Sequence, residues 1–159
     1  MSTAAPLSLF LPSPEDTARL GEWLAMHLRP GDAVLLEGHI GAGKTHLARA
    51  LIRARLGRME DVPSPTFTLV QTYQADDVEI WHADLYRLSH PDEVIELGLE
   101  EAFQSAICLI EWPDRLGGAT PPDALRLHLG QEGDGRRLQI SGGRSDLRAA
   151  LARDWLADA

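Results

Sequence analysis

The stretch Gly38-His39-Ile40-Gly41-Ala42-Gly43-Lys44-Thr45 has the residue types that phosphate chemistry needs, in the pattern G-x-x-x-x-G-K-[ST]. Its glycines let backbone N–H groups close around phosphate oxygens with no Cβ in the way. A helix starting directly after the loop, read here from His46, turns its positive end toward the same anion. In this pattern Lys44 reaches the β- and γ-phosphates as a point charge, and the Thr45 hydroxyl ligates Mg²⁺. An ordinary Gly-rich turn is the competing reading, and the apolar run Ala33 to Glu37 just before the loop argues against it.

Phosphoryl chemistry further requires a held metal ion and an oriented nucleophile, because positioning and electrostatics do most of the work. Two acids end strand-like runs, Asp84 and Glu111, and either could hold Mg²⁺ directly or through a water. Glu111 follows the four apolar residues Ile107 to Ile110, the pattern of a metal-side acid. Asp84, with His82, Tyr86 and Arg87 around it, also admits a plain strand-end role. Between the phosphate loop and Asp84 lies Ser64 to Thr68, a hydroxyl-rich segment placed where a switch loop would sit, with Thr66 able to sense a γ-phosphate. The six histidines show no paired metal-ligand spacing, and His39 and His46 beside the loop read as local packing. Asp76-Asp77 and Glu100-Glu101 read as solvated charge.

These groups need elements to carry them. Leu7 to Leu11 is a short apolar segment. Ser13 is an N-cap with Pro14 in the first turn of a helix carrying Leu20, Trp23, Leu24 and His27, which Arg29-Pro30-Gly31-Asp32 ends. Ala33 to Glu37 is a buried strand, and the helix after the loop runs to about Gly57. Residues 58–64 read as loop. Phe67 to Tyr73 and Val78 to Asp84 form an antiparallel hairpin around Gln74-Ala75-Asp76-Asp77. Ser89-His90-Pro91-Asp92 opens a helix through Leu97 that ends at Gly98, and a short helix covers Leu99 to Gln104. Ile107 to Glu111 is a strand stopped by Trp112-Pro113. Leu125 to Leu129 and Arg137 to Ile140 are strands about a Gly-rich turn, and Ser145 opens a C-terminal helix with Leu147, Leu151 and Trp155 on one face.

At 159 residues and 44% apolar composition the chain reads as a single domain over 1–159, with a helical C-terminal tail at about 145–159. Fifteen basic against twenty-four acidic side chains give a formal net charge of −9, which disfavours an unaided grip on nucleic acid. The one cysteine, Cys108, lies in an apolar run and reads as a buried reduced thiol, in keeping with a cytoplasmic location. No basic-plus-apolar leader and no apolar run approaching about 18 residues is present, so secretion and membrane association are not expected.

Four ordered blocks resemble the TsaE family, the bacterial ATPases of tRNA threonylcarbamoyladenosine biosynthesis. They are Gly38 to Thr45, Ser64-Pro65-Thr66-Phe67-Thr68-Leu69-Val70, His82-Ala83-Asp84-Leu85-Tyr86-Arg87-Leu88, and Leu109-Ile110-Glu111-Trp112-Pro113. The likeness covers roughly residues 10 to 140, and the last three blocks are the specific ones. It implies an α/β, P-loop NTPase-like three-layer fold: a central, mostly parallel sheet with an antiparallel hairpin and flanking helices. It implies ATP or ADP bound by Ile40, Gly41, Ala42, Gly43, Lys44, Thr45 and His46, with a further contact from the segment Pro14 to Thr17. Thr45 and Glu111 hold Mg²⁺, and Asp84 is a second functional acid beside Lys44 and Thr66. It further implies a weak ATPase that joins TsaB and TsaD type proteins, with tRNA met through that complex. His39 and His46 depart from the family's usual Asp and Thr or Ser, Pro63 from Thr or Lys, and Ala83 from Phe. Two other readings of the same fold are a small-molecule kinase, against which the lack of an Arg-rich lid counts, and a nucleotide-gated interaction module.

Overall fold

The computed structural model describes residues 7–39, 43–57, 70–75, 78–86, 92–93 and 97–156. The expectations for Ile40, Gly41, Ala42, for Thr66 with the rest of the switch-like segment, and for most of the helix after Ser89 lie outside them. The elements are β1 (Leu7–Leu11), α1 (Pro14–His27), β2 (Ala33–Gly38), α2 (Lys44–Leu56), β3 (Val70–Gln74), β4 (Glu79–Asp84), α3 (Leu99–Ser105), β5 (Ile107–Glu111), β6 (Leu125–Glu132), β7 (Gly135–Gly142) and α4 (Ser145–Trp155). A 3₁₀ segment, Pro113–Ala119, follows β5.

The strands form one seven-stranded sheet in the order β1-β7-β6-β2-β5-β4-β3. Its centre is parallel, with β6, β2, β5 and β4 running the same way, and β3–β4 is the expected antiparallel hairpin. The sequence pattern explains the two regimes. β2 and β5 are apolar at successive positions because both their faces are covered. Val34, Leu36, Ile107 and Leu109 enter a core shared with α1, α2 and α4, while Ala33, Leu35, Cys108 and Ile110 enter a second core under α3 and the 3₁₀ segment. β6 instead alternates, burying Leu125, Leu127 and Leu129 and leaving His128 exposed, as a strand with one open face does. The result is a three-layer P-loop NTPase-like α/β fold.

The helix ends follow from local chemistry. The Ser13 side chain accepts from the Asp16 N–H at 3.3 Å, with Pro14 at the first position of α1. At its other end, Arg55 from α2 donates to the Ala25 and Leu28 carbonyls at 2.7 and 2.9 Å. Arg144 donates to Asp32 at 2.9 Å and to the His27 carbonyl at 3.0 Å, so the start of α4 is tied to the turn that feeds β2. α1 and α2 approach closely at Gly21, where an added Cβ would lie 2.9 Å from the Leu47 carbonyl oxygen. Among the described residues no helix is long and apolar enough to cross a membrane.

Two outcomes follow. Gly21→Val should lower stability by about 1–3 kcal/mol in urea unfolding, because backbone of α2 stands where the new methyls must go. The Cys108 thiol is wholly buried, and burial pushes it up to about 12. Folded protein at pH 8 should therefore leave a disulfide reagent unreacted, with one thiol titrating only after unfolding.

Candidate functional site

Continuing the alternation of β5 one residue past Ile110 puts Glu111 on the α2 side of the sheet, and the same alternation puts His82 and Asp84 of β4 on that face. The parallel register sets Asp84 opposite Glu111, and Glu111 beside Leu36, two residues before the end of β2. β4 and β5 thus end level and β2 runs two residues further, and the cleft outside the carboxyl ends of parallel strands is where such sheets bind ligands.

α2 starts in this cleft. It begins at Lys44, two residues earlier than the sequence pattern suggested, so both Lys44 and Thr45 belong to its first turn. Gly43 precedes it at φ 104°, a left-handed conformation that suits glycine, and no side chain caps the helix. The first intrahelical bond runs from the Leu47 N–H to the Gly43 carbonyl, which leaves the N–H groups of Lys44, Thr45 and His46 ahead of the helix ladder. The first turn has no acidic residue, unlike that of α1, which carries Glu15 and Asp16. A lysine at the positive end of an uncapped helix is unfavourable for the helix alone and favourable for an anion between them.

Among the described residues the buried polar side chains are Thr17, Lys44, His82 and Glu111, and three of them meet here. Lys44 Nζ donates to the Gly38 carbonyl at 2.7 Å and lies 3.8 Å from the centre of the Trp112 ring. Thr45 Oγ1 donates to Glu111, 3.1 Å from Oε1 and 3.3 Å from Oε2. His82 Nε2 is 2.7 Å from Glu111 Oε2. Asp84 accepts from the Tyr86 N–H at 3.1 Å. Burial draws the Lys44 ammonium below the usual lysine range, opposed by the charges of Glu111, Asp84 and Asp114. Burial raises the Asp84 carboxyl, the Tyr86 N–H lowers it, and the charge of Glu111 raises it further.

Gly43, Lys44, Thr45, His46, Asp84, Glu111 and Trp112 line a cavity of about 290 Å³. A second cavity, of about 310 Å³, lies against the start of α1 and is lined by Leu11, Pro14, Thr17, Gly43, His46 and Arg136 among others. Gly43 and His46 line both. Of the residues expected from sequence, Lys44, Thr45, His46, Asp84 and Glu111 therefore come together in one cavity, and Thr17 stands in its neighbour. His46 Nε2 lies 2.9 Å from the Pro14 carbonyl oxygen and bridges the starts of α1 and α2.

Sequence reasoning left two residues without a role. Trp112 read only as a strand stop, yet its ring lies under Lys44 and 4.9 Å from that of Tyr86, and its backbone is left-handed at φ 59°. That conformation is rare for a bulky residue. His82 read only as a neighbour of Asp84; its position two residues earlier on the same strand was the available signal.

Asp84 yields a pH test in magnesium-free buffer. The fold raises its pKa, so its contribution to stability is full below about pH 4 and is lost as pH rises through the folded value. Asp84→Asn, which keeps an acceptor for the Tyr86 N–H, should raise the thermal midpoint by a few degrees at pH 7, and the gain should vanish near pH 3.5. An unchanged or lower midpoint at pH 7 contradicts the assignment.

Known proteins supply an independent comparison. The family model of threonylcarbamoyl adenosine biosynthesis protein TsaE matches residues 11–138. The tRNA threonylcarbamoyladenosine biosynthesis protein TsaE of Rickettsia conorii is 42% identical over 80% of this chain and 73% of its own length. The protein of the same name from Bacillus subtilis is 35% identical over 79% of this chain and 78% of its own. The crystal structure of Bacillus subtilis YdiB superposes with a TM-score of 0.79 at 26% identity, covering 96% of this chain and 98% of that one.

Proposed function

The chain belongs to the TsaE family of threonylcarbamoyl adenosine biosynthesis, and from that premise we propose that it binds and slowly hydrolyses ATP with Mg²⁺. We propose further that it does so with TsaB and TsaD type partners in forming threonylcarbamoyladenosine in tRNA in the cytoplasm. The observation that carries the reading is the uncapped start of α2, with Lys44 only 5% exposed and set beside the Thr45–Glu111 pair. Such an arrangement is costly for the empty protein and is repaid by a polyphosphate. The helix N–H groups and Lys44 neutralise phosphate charge, which is the larger part of what phosphoryl transfer requires. The adjoining cavity at Leu11, Pro14 and Thr17 suits the nucleoside, since it opens from the same Gly43 and His46 and has an apolar wall.

The donor set fits Mg²⁺. Thr45 and Glu111 are hard oxygen ligands in contact with one another, and Asp84 lines the same cavity. Among the described residues no three acidic, histidine or cysteine side chains form a self-sufficient metal cluster. That agrees with an ion that takes one or two protein ligands and completes its shell with phosphate oxygens and water. When bound, Mg²⁺ would neutralise charge on the phosphates. The chain's residues bind and orient: Lys44 grips phosphate, Thr45 and Glu111 hold the cation, and Asp84 is the acid left to orient an attacking water. A net charge of −9 leaves contact with tRNA to the partners.

Lys44→Ala should weaken binding of Mg-ADP in calorimetry by roughly tenfold to a hundredfold, the worth of about 1.5–3 kcal/mol for a charge-assisted bond. In a reconstitution with the partner proteins it should abolish threonylcarbamoyladenosine formation. Undiminished modification by Lys44→Ala would sink the proposal, and phosphoryl transfer to a small acceptor outpacing transfer to water would replace it with a kinase.

A further inference from the structure

His82 makes none of the nucleotide or metal contacts proposed above, yet its place in the core calls for a reason. Its ring is wholly buried, with Nε2 on Glu111 Oε2 at 2.7 Å. Among the described residues its Nδ1 is buried with no hydrogen-bond partner. A strand needs no such group there: Ile80, two residues earlier on the same face, fills its position with hydrocarbon and pays no desolvation penalty. The return is found at Glu111. A carboxylate only accepts, so the hydrogen shared in this contact is on His82 Nε2.

The two carboxylate oxygens are then divided. Oε2 belongs to His82, and Oε1 is the one nearer the Thr45 hydroxyl, at 3.1 Å against 3.3 Å. The terminal torsion of a glutamate is broad and roughly two-fold, so a carboxylate at the end of a strand turns freely unless one oxygen is held. Thr45 alone does not single out one oxygen, because its hydroxyl lies within bonding distance of both.

We propose that His82 is a positioning residue for the divalent cation: it fixes Glu111 Oε2 and thereby presents Oε1 beside Thr45 as a ready metal ligand. This rests on the Mg-nucleotide reading above and adds to it the group that sets the ligand's orientation. Carboxylate ligands are commonly oriented by such an outer partner, whose loss lowers metal affinity without removing a ligand.

The test uses Mn²⁺ as the spectroscopic probe, titrated by electron paramagnetic resonance into the full chain at saturating ADP, with metal-free ADP affinity measured in parallel. His82→Leu should weaken Mn²⁺ binding by about 10–100-fold and leave metal-free ADP binding unchanged. His82→Gln, whose amide nitrogen reaches about where Nε2 stands, should restore most of the loss. Wild-type Mn²⁺ affinity in His82→Leu, a Gln variant no better than Leu, or an equal loss of metal-free ADP affinity would each overturn the proposal. A reading that needs no variant comes from ¹⁵N resonances of the wild-type imidazole: the Nε2 signal should move when Mg²⁺ joins the ADP complex, and an unmoved signal overturns it as well. Wild-type protein that takes up no Mn²⁺ with ADP overturns the nucleotide reading too. Normal uptake that is indifferent to His82 overturns this inference alone.

Discussion

A carboxylate only 2% exposed must be held by something, and what holds Glu111 dictates where its neighbours go. Taking a charge out of water costs more than a single ordinary hydrogen bond returns, so several groups have to converge on it. Thr45 comes from the first turn of α2, His82 from β4, and the charge of Lys44 from one residue before Thr45. For these to meet, β4 must lie parallel to β5 with Asp84 opposite Glu111, and α2 must begin over the end of β2. A slip of one residue in β4 would turn His82 and Asp84 to the other face of the sheet and break the arrangement.

The opposite end of the molecule is built differently. There the charges lie at or near the surface and are paired among themselves: Arg144 with Asp32 and Asp146, and Arg55 on the last carbonyls of α1. Trp23 donates to Asp154 at 2.8 Å, and the Asp154 carboxyl is held down at about 2 by Arg153 and then by Trp23. Partly exposed pairs of this kind add little individually, but as a network they fix how α1, β2 and α4 join. The fold thus keeps charges paired near the surface at one end and buries Lys44 and Glu111 at the other.

Much of this was legible in the sequence where the signal is local. β2 and β5 announce themselves as unbroken apolar runs, α1 by its Ser13-Pro14 start, and Glu111 as the acid that ends such a run. The hairpin of β3 and β4 and the strands about the Gly133 turn are read the same way. What escaped depends on contacts between distant segments or on backbone geometry. The use of His82 depends on a partner 29 residues away in another strand, and no local pattern carries that register. The left-handed backbone of Trp112 runs against its residue type. The placement of β6 against β2, rather than at an edge, is a matter of sheet order that strand patterns leave open. α2 starts earlier than expected because the pattern G-x-x-x-x-G-K-[ST] reads as loop to its last residue, whereas its Lys44 and Thr45 already have helical geometry.

The sheet order also bears on how the chain is made. β2 has β5 and β6 as its two neighbours, with Leu35 paired to Ile110 on one side and to Arg126 on the other. β1 waits still longer, for Leu138 in β7. A ribosome therefore releases β2 well before either of its neighbours exists to pair with it. Topologies dominated by such distant pairings fold slowly and leave unpaired strand edges exposed meanwhile. Synthesis has to pass β6 before β2 can lie in a completed sheet, so a nascent chain stopped short of it leaves one edge of β2 unpaired.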